Sequence, residues 1–142
     1  MRARSLNIES RTDRLVDARE FVSAAAQELG FGDDDIGKIA LAVDEACTNV
    51  IKHAYHFDGQ QYLTITVEAG KNSIEIRITD SGERFDPREL PAPDMKEYLK
   101  KFRKGGLGVY LMKKLMDEVE YQLLPGKKNE VRLVKYLDTR HS

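Results

Sequence analysis

The sequence has almost no cysteine, almost no net charge and no long hydrophobic run, and each shortage removes a class of protein. A single cysteine, Cys47, in 142 residues excludes a disulfide framework. Its place on an apolar stripe makes it a buried inert thiol rather than a nucleophile or redox switch. His53 and His56 stand three apart without a cysteine or third histidine beside them, so no metal pair is expected there. The net charge of −1 gives no general attraction to nucleic acid or anionic lipid, and partners must be chosen by local features. No apolar run approaches the roughly 18 residues of a membrane span, and Arg2 and Arg4 are not followed by a signal-peptide core. The expectation is a cytoplasmic chain with no direct nucleic-acid or membrane partner. Repeats, low-complexity tracts and convincing linkers are also missing. What remains, 41% apolar and 33% charged residues, suits an ordinary soluble domain. Residues 1–142 are read as one domain able to bury about two thirds of its extended-chain surface.

The chain is organised around Ile36 to Tyr55. Ile36, Ile39, Ala40, Val43, Ala46, Cys47, Val50 and Ala54 recur at helical spacing and form a core stripe. At about 100° per residue, Lys38, Glu45, Asn49 and Lys52 share a narrow sector on the opposite side. A solvated face would account for them. Yet Thr48, Asn49 and His53 are each about half a kcal/mol poorer than alanine as helix formers, and a face chosen for solubility alone would favour lysine and glutamate.

Before this helix, Leu6 and Ile8 alternate with polar residues as a short edge strand, and Ser10 and Thr12 offer caps. Leu15, Ala18, Val22, Ala25, Ala26 and Leu29 form a structural helix ending at Gly30. Asp33, Asp34 and Asp35 can cap the central helix and favour its dipole. After it, Leu63, Ile65, Val67 and Ile74, Ile76, Ile78 alternate across Gly70 to Asn72 as an antiparallel hairpin. Asp80 continues the inward face of the second strand, so it either points inward and needs a donor or caps the Ser81, Gly82 turn. From Glu83 to Lys104 the periodicity fails, with Pro87, Pro91 and Pro93 and charges of both signs. This reads as a long lid-like loop in which Met95, Tyr98, Leu99 and Phe102 form one short amphipathic helix. Lys100, Lys101, Arg103 and Lys104 lead into Gly105, Gly106, Leu107 and Gly108. Leu111, Met112, Leu115 and Met116 then place those glycines at a helix N-terminus open to an anion, or make them a flexible hinge. Val119, Tyr121, Leu123 and Val131, Leu133, Val134, Leu137 are a last strand pair around Pro125, Gly126, and Asp138 to Ser142 is a frayed tail. The fold class expected is α+β, a two-layer sandwich with a mixed, mainly antiparallel sheet covered on one face by about three helices.

This order, a helix with Glu45 and Asn49, a strand ending in Asp80 and Gly82, a basic lid and a glycine-rich helix start, resembles the Bergerat ATP-binding fold of gyrase, Hsp90, sensor histidine kinases and MutL. The likeness runs from about Leu6 to Leu137. Glu45-Ala46, Asn49 and His53-Ala54-Tyr55 are most similar to the anti-sigma factor serine kinases of bacterial partner switching. The bare length agrees, since no upstream helical hairpin with a phosphoacceptor histidine is expected. The resemblance implies ATP and Mg²⁺ as cofactors. Asn49 would coordinate the metal, with Lys52 and His53 beside it in the nucleotide site. Asp80 would accept from the adenine amine, and Gly82 would let the base or its water come close. Gly105, Gly106, Leu107 and Gly108 would wrap the phosphates, Arg103 or Lys104 would reach the terminal phosphoryl group, and Glu45 would be the catalytic base. The lid would span about 83–105.

Two positions depart from the family pattern. Arg84 replaces the last glycine of Asp-x-Gly-x-Gly, altering the lid hinge or adding a phosphate contact. Lys128, Asn129 and Glu130 replace the usual Gly-Thr before the last strand, and no site residue is assigned there. The function implied is an ATP-dependent protein serine kinase that also acts as an anti-sigma factor. Its partners would be a sigma factor and a STAS-type anti-anti-sigma protein, and it would form a homodimer on the sheet side opposite the nucleotide, with the N-terminal strand at the interface. A nucleotide-gated binding module without transfer, or a stand-alone ATPase, would use the same residues differently.

Overall fold

The computed structural model describes residues 3–85 and 115–137. Strand β1 (Arg4–Glu9) leads through a 3₁₀ turn at Thr12–Arg14 into helix α1 (Leu15–Glu28). The caps offered by Ser10 and Thr12 are not used, because the 3₁₀ turn intervenes and Arg14 precedes α1 without a side-chain cap bond. Leu15, Ala18, Val22, Ala25 and Ala26 are buried along one face, as their spacing requires. Gly30, at a φ of 95°, ends the helix in the left-handed region and lets the Gly30 and Phe31 amides donate to the Gln27 and Ala26 carbonyls at 3.0 and 3.1 Å.

Helix α2 (Asp33–Asn49) starts after Gly32, again without a side-chain cap bond. Asp33, Asp34 and Asp35 therefore act through the helix dipole in the first turn and not as caps. The helix does not stay regular to Tyr55: Val50–Ala54 widens into a π turn. His56 and Phe57 follow at φ values of 49° and 64° and reverse the chain. The widened turn brings Ala54 and Tyr55 to the end of a strand that sequence spacing could not have placed beside them.

That strand belongs to a sheet of β1, β2 (Tyr62–Ala69), β3 (Ser73–Asp80), β4 (Glu118–Leu124) and β5 (Lys128–Tyr136), in the order β1-β2-β3-β5-β4. Every pairing among the described strands is antiparallel, so the mixed sheet expected is antiparallel throughout this part. Leu63, Ile65, Val67, Ile74, Ile76, Ile78 and Leu133 are at most 1% exposed on one face and pack with Val22, Ile39, Val43 and Ile51 of the helical layer. Fully burying each such side chain contributes about 1.5–3 kcal/mol. Cys47 is buried there too, and burial with the nearby Asp44 charge pushes its thiol pKa far up, which leaves it unreactive. Arg19 of α1 is hydrogen-bonded to the buried Asp44 of α2 and pins the helices together. Most of the helix expected over Leu111 to Met116, and the tail from Asp138, lie outside the described residues.

The opposite face of the sheet is polar. Arg77 lies 3.1 Å from Glu68 and 3.7 Å from Glu130 and also pairs with Glu75. Arg132 pairs with Glu75 and lies 3.4 and 3.5 Å from Glu118 and Glu120. Towards β1 the charges give way to Ser5–Thr66 and Thr64–Asn7 hydrogen bonds at 2.9 and 2.7 Å.

Tyr55 joins the helix end to the sheet. Its hydroxyl donates to the Tyr62 carbonyl at 2.7 Å and accepts from the Ser81 amide at 2.8 Å. Tyr55→Phe leaves both backbone groups without this partner and is expected to cost about 1–3 kcal/mol. Urea unfolding should show a lower midpoint at an unchanged m-value.

Candidate functional site

Two rows of inward side chains on the β3–β5–β4 half of the sheet define the site. Ile78, Val131 and Tyr121 stand in one cross-strand row; Asp80, Asn129 and Leu123 stand in the next. With Ala46, Asn49 and Val50 of the α2 end above them, and Arg84 and Phe85 after β3, they line a cavity of about 300 Å³. That is the lower end of the range of small-molecule sites.

Asp80 is 4% exposed and lies on the same face as Ile74, Ile76 and Ile78. Both readings of it hold at once. The side chain points inward, and its Oδ1 accepts from the Gly82 amide at 2.9 Å, closing the turn. The same oxygen accepts from Asn129 Nδ2 at 3.0 Å. Burial raises the Asp80 pKa above its ordinary value, and the two donors hold it back in part. Asn49, 6% exposed, places a buried Nδ2 at the cavity wall with no hydrogen-bond partner among the described residues. An orphaned buried donor costs roughly 1–3 kcal/mol, which an acceptor brought by a ligand would recover.

Gly82 is explained by a neighbour other than a ligand. A Cβ there would stand 2.5 Å from the Ala54 carbonyl oxygen and 2.8 Å from the Ala54 Cβ. The next residue, Glu83, donates its amide to the same carbonyl at 2.8 Å. The close approach expected of a base at Gly82 is therefore made on this side by the π turn. His56 Nε2, 2.6 Å from Glu83 Oε2, adds a third link between the two segments.

Glu45 lies one turn before Asn49 and is 4% exposed, so the second face of α2 is buried at Glu45 and Asn49 and solvated only at Lys38 and Lys52. Glu45 is beside the cavity lining and not part of it. Lys52 is likewise off the lining. His53 is half-buried with its ring centroid 5.5 Å from that of Phe85, a lining residue. Burial, then the charges of Lys52 and His56, lower its pKa and favour the neutral ring. Arg103, Lys104, Gly105, Gly106, Leu107 and Gly108 lie outside the described residues, as does the lid from residue 86 onward and its short amphipathic helix. Among the described residues no group of three His, Cys, Asp or Glu side chains could hold a metal ion by itself. No described helix is long and apolar enough to cross a membrane.

Sequence reasoning missed Asn129, along with Tyr121, Phe85 and Val50 on the cavity wall. The signal for Asn129 was available. Carrying the Leu133, Val131 alternation back by one step puts residue 129 on the inner face, opposite the position reached by carrying Ile78 forward to Asp80.

An antiparallel sheet under helices, with an inward carboxylate and a buried amide facing one cavity, defines an α+β small-molecule-binding domain. The sequence model of the histidine kinase-like ATPase domain matches residues 8–135. The serine-protein kinase RsbW of Bacillus subtilis is 34% identical over 121 residues, covering 82% of this chain and 74% of that protein. RsbW of Halalkalibacterium halodurans is 37% identical over 119 residues, covering 81% and 72%. Among solved structures, one of the RsbU and RsbW domains of a Mycobacterium tuberculosis protein has a TM-score of 0.67 at 15% identity, over 96% of this chain and 32% of that longer one. The SiaB–SiaC complex of Pseudomonas aeruginosa gives 0.59 at 12% identity, over 94% and 89%. These two show likeness of fold. The chain belongs to the histidine kinase-like ATPase domain family, and ATP is the nucleotide that family uses.

Asp80→Asn keeps an oxygen to accept from Gly82 and Asn129 while removing the buried charge. Because the folded pKa lies above the unfolded value of about 3.9, ionised Asp80 lowers stability as pH rises through the folded pKa. The variant should melt at or above the wild-type temperature at pH 7–8, with the difference closing below about pH 4. Thermal melts across that range test this.

Proposed function

We propose that the chain is an ATP-dependent protein serine kinase and anti-sigma factor of a partner-switching system, acting on a serine of a STAS-type anti-anti-sigma protein. The observation that carries this is the cavity between α2 and β3, with Asp80 on its floor and the unpartnered amide of Asn49 on its wall. It joins the two side chains that adenine and phosphate would need at opposite ends of one ligand. Kinship with RsbW serine-protein kinases supports the reaction class.

In this reading Asp80 accepts from the exocyclic amine of adenine, while Ile78, Val131 and Leu123 exclude water around the ring. Asn49 would hold Mg²⁺ through its amide oxygen, the hard oxygen donor that ion takes, and would give its unpartnered Nδ2 to a phosphate oxygen. When bound, the ion neutralises charge on the phosphates. The serine oxygen bonds to the γ-phosphorus as the bond to the bridging oxygen of ADP breaks, and the hydroxyl proton passes to the Glu45 carboxylate. Arg103 or Lys104 steadies the transferred group, Gly105 to Gly108 hold the phosphates, and Lys52 and His53 flank the metal side. Arg84, on the cavity wall, adds a cation near the ligand. A sigma factor competes with the anti-anti-sigma protein for the same molecule. A homodimer formed on the polar sheet face, with β1 at its edge, completes the assembly.

Two measurements test this. Saturation with Mg-ATP should raise the melting temperature, with a stabilisation of about 2.7 kcal/mol at a hundredfold excess over Kd. Labelled ATP should transfer phosphate to serine of the anti-anti-sigma protein. Glu45→Ala should lower transfer by roughly 10²-fold or more with ATP binding retained. Equal transfer by the variant would remove Glu45 as the base, and binding without transfer by the wild type would leave a nucleotide-gated binding module.

A further inference from the structure

Asn129 opens β5 directly opposite Asp80. Its Nδ2 lies 3.0 Å from Asp80 Oδ1 and 3.1 Å from the Gly82 carbonyl oxygen. Both partners are acceptors, so the nitrogen must face them; a flipped amide would set oxygen against oxygen twice. Both amide protons are then in use. The Asn129 Oδ1 is buried and has no partner among the described residues. Asp80 Oδ1 in turn carries both described donors, Gly82 and Asn129, which fixes the rotation of the carboxylate and leaves Oδ2 as the oxygen available to a ligand.

We infer that Asn129 is a positioning residue for Asp80 and a specificity-determining acceptor of the nucleotide site: its amide holds Oδ1 and the Gly82 carbonyl, and its own Oδ1 takes a donor from the base or from a base-bound water. This rests on the nucleotide reading of the cavity and deepens it. A hydroxyl, with one proton, could not hold both acceptors; the amide does. The cavity floor then offers acceptors only. A 6-amino purine donates to it, whereas a 6-oxo purine presents another acceptor at the same place.

The test uses Asn129→Asp, which has the shape of the native side chain but turns an oxygen towards both acceptors. ADP affinity is measured by calorimetry from pH 5 to 8, with IDP as the competing base. The other ionisable groups on the cavity wall are Arg84, Glu130 and Tyr121, with Tyr55 bonded at Ser81 and His53 against Phe85. They are unchanged in the variant, so wild type is the control for their titration. The variant should bind ADP roughly 10- to 100-fold more weakly at pH 8. Most of that loss should be recovered towards pH 5, where a proton shared between the two carboxyl groups restores a donor. Wild-type affinity at pH 8, or a loss that does not recover on acidification, overturns the inference. If Asn129→Asp does not fold, Asn129→Thr, which keeps one donor, should show intermediate affinity and a smaller preference for ADP over IDP; an unchanged preference counts against it. Asp80 carboxyl titration by NMR in the ligand-free protein separates this inference from the nucleotide reading. Loss of the Asn129 donor in Asn129→Ala should raise the Asp80 pKa further, and no change overturns the lock. Wild type that fails to bind ADP at any pH would instead overturn the nucleotide reading.

Discussion

The site depends on the pass of the Gly82 backbone against Ala54. A helix and a strand can be held near each other by a hydrophobic core, but a core of interlocking aliphatic side chains sets their separation only to within a side-chain repacking. Backbone against backbone, with no Cβ between, sets it closely. Three hydrogen-bonded links surround that contact: Glu83 to the Ala54 carbonyl, Tyr55 to Ser81, and His56 to Glu83. Their common effect is to hold the last turn of the Asn49 helix at a defined height over the exit of the Asp80 strand. The π turn is the local device that makes this reach possible, because a regular continuation would direct Ala54 and Tyr55 elsewhere.

Within that frame, polar groups are rationed by burial. The described core excludes charge except where it is paired, as Arg19 with Asp44, or hydrogen-bonded, as Asp80 with Gly82 and Asn129. Two amides at the cavity break the pattern: Asn49 keeps an unused donor and Asn129 an unused acceptor. Such groups weaken the ligand-free fold by about as much as they can return when a ligand arrives, which is the economy of a preorganised site. The outer face of the sheet behaves oppositely. Its arginines and glutamates share partners across four strands and leave charge where water can screen it.

The chain belongs to the histidine kinase-like ATPase domain family, and the two positions that the sequence marks as departures from the family pattern meet at one cavity. Arg84 and Asn129 both line it. Arg84 sets a cation on the cavity wall, and Asn129 sets an amide that grips both Asp80 and the Gly82 carbonyl.

The sequence by itself determined the elements, because period carries that information locally. Alternation placed Ile74, Ile76 and Ile78 on one face and carried Asp80 inward with them, and the helical stripe put Val43, Ala46 and Cys47 in the core. It also located Gly30 as a helix terminator. Only the tertiary structure decided which of two adequate roles a polar residue takes. Glu45 and Asn49 look solvated on a helical projection and are buried because other elements cover that side of α2. Gly82 reads as room for a ligand, and the space a Cβ would need there is taken by Ala54. The alternation of β5 puts Asn129 on the inner face, but its role comes from standing across from Asp80 on a strand 49 residues away, which only the strand order supplies. Periodicity reports which face a side chain occupies; what it meets there depends on strand order and on the winding of the π turn, which are settled by packing between segments distant in the chain.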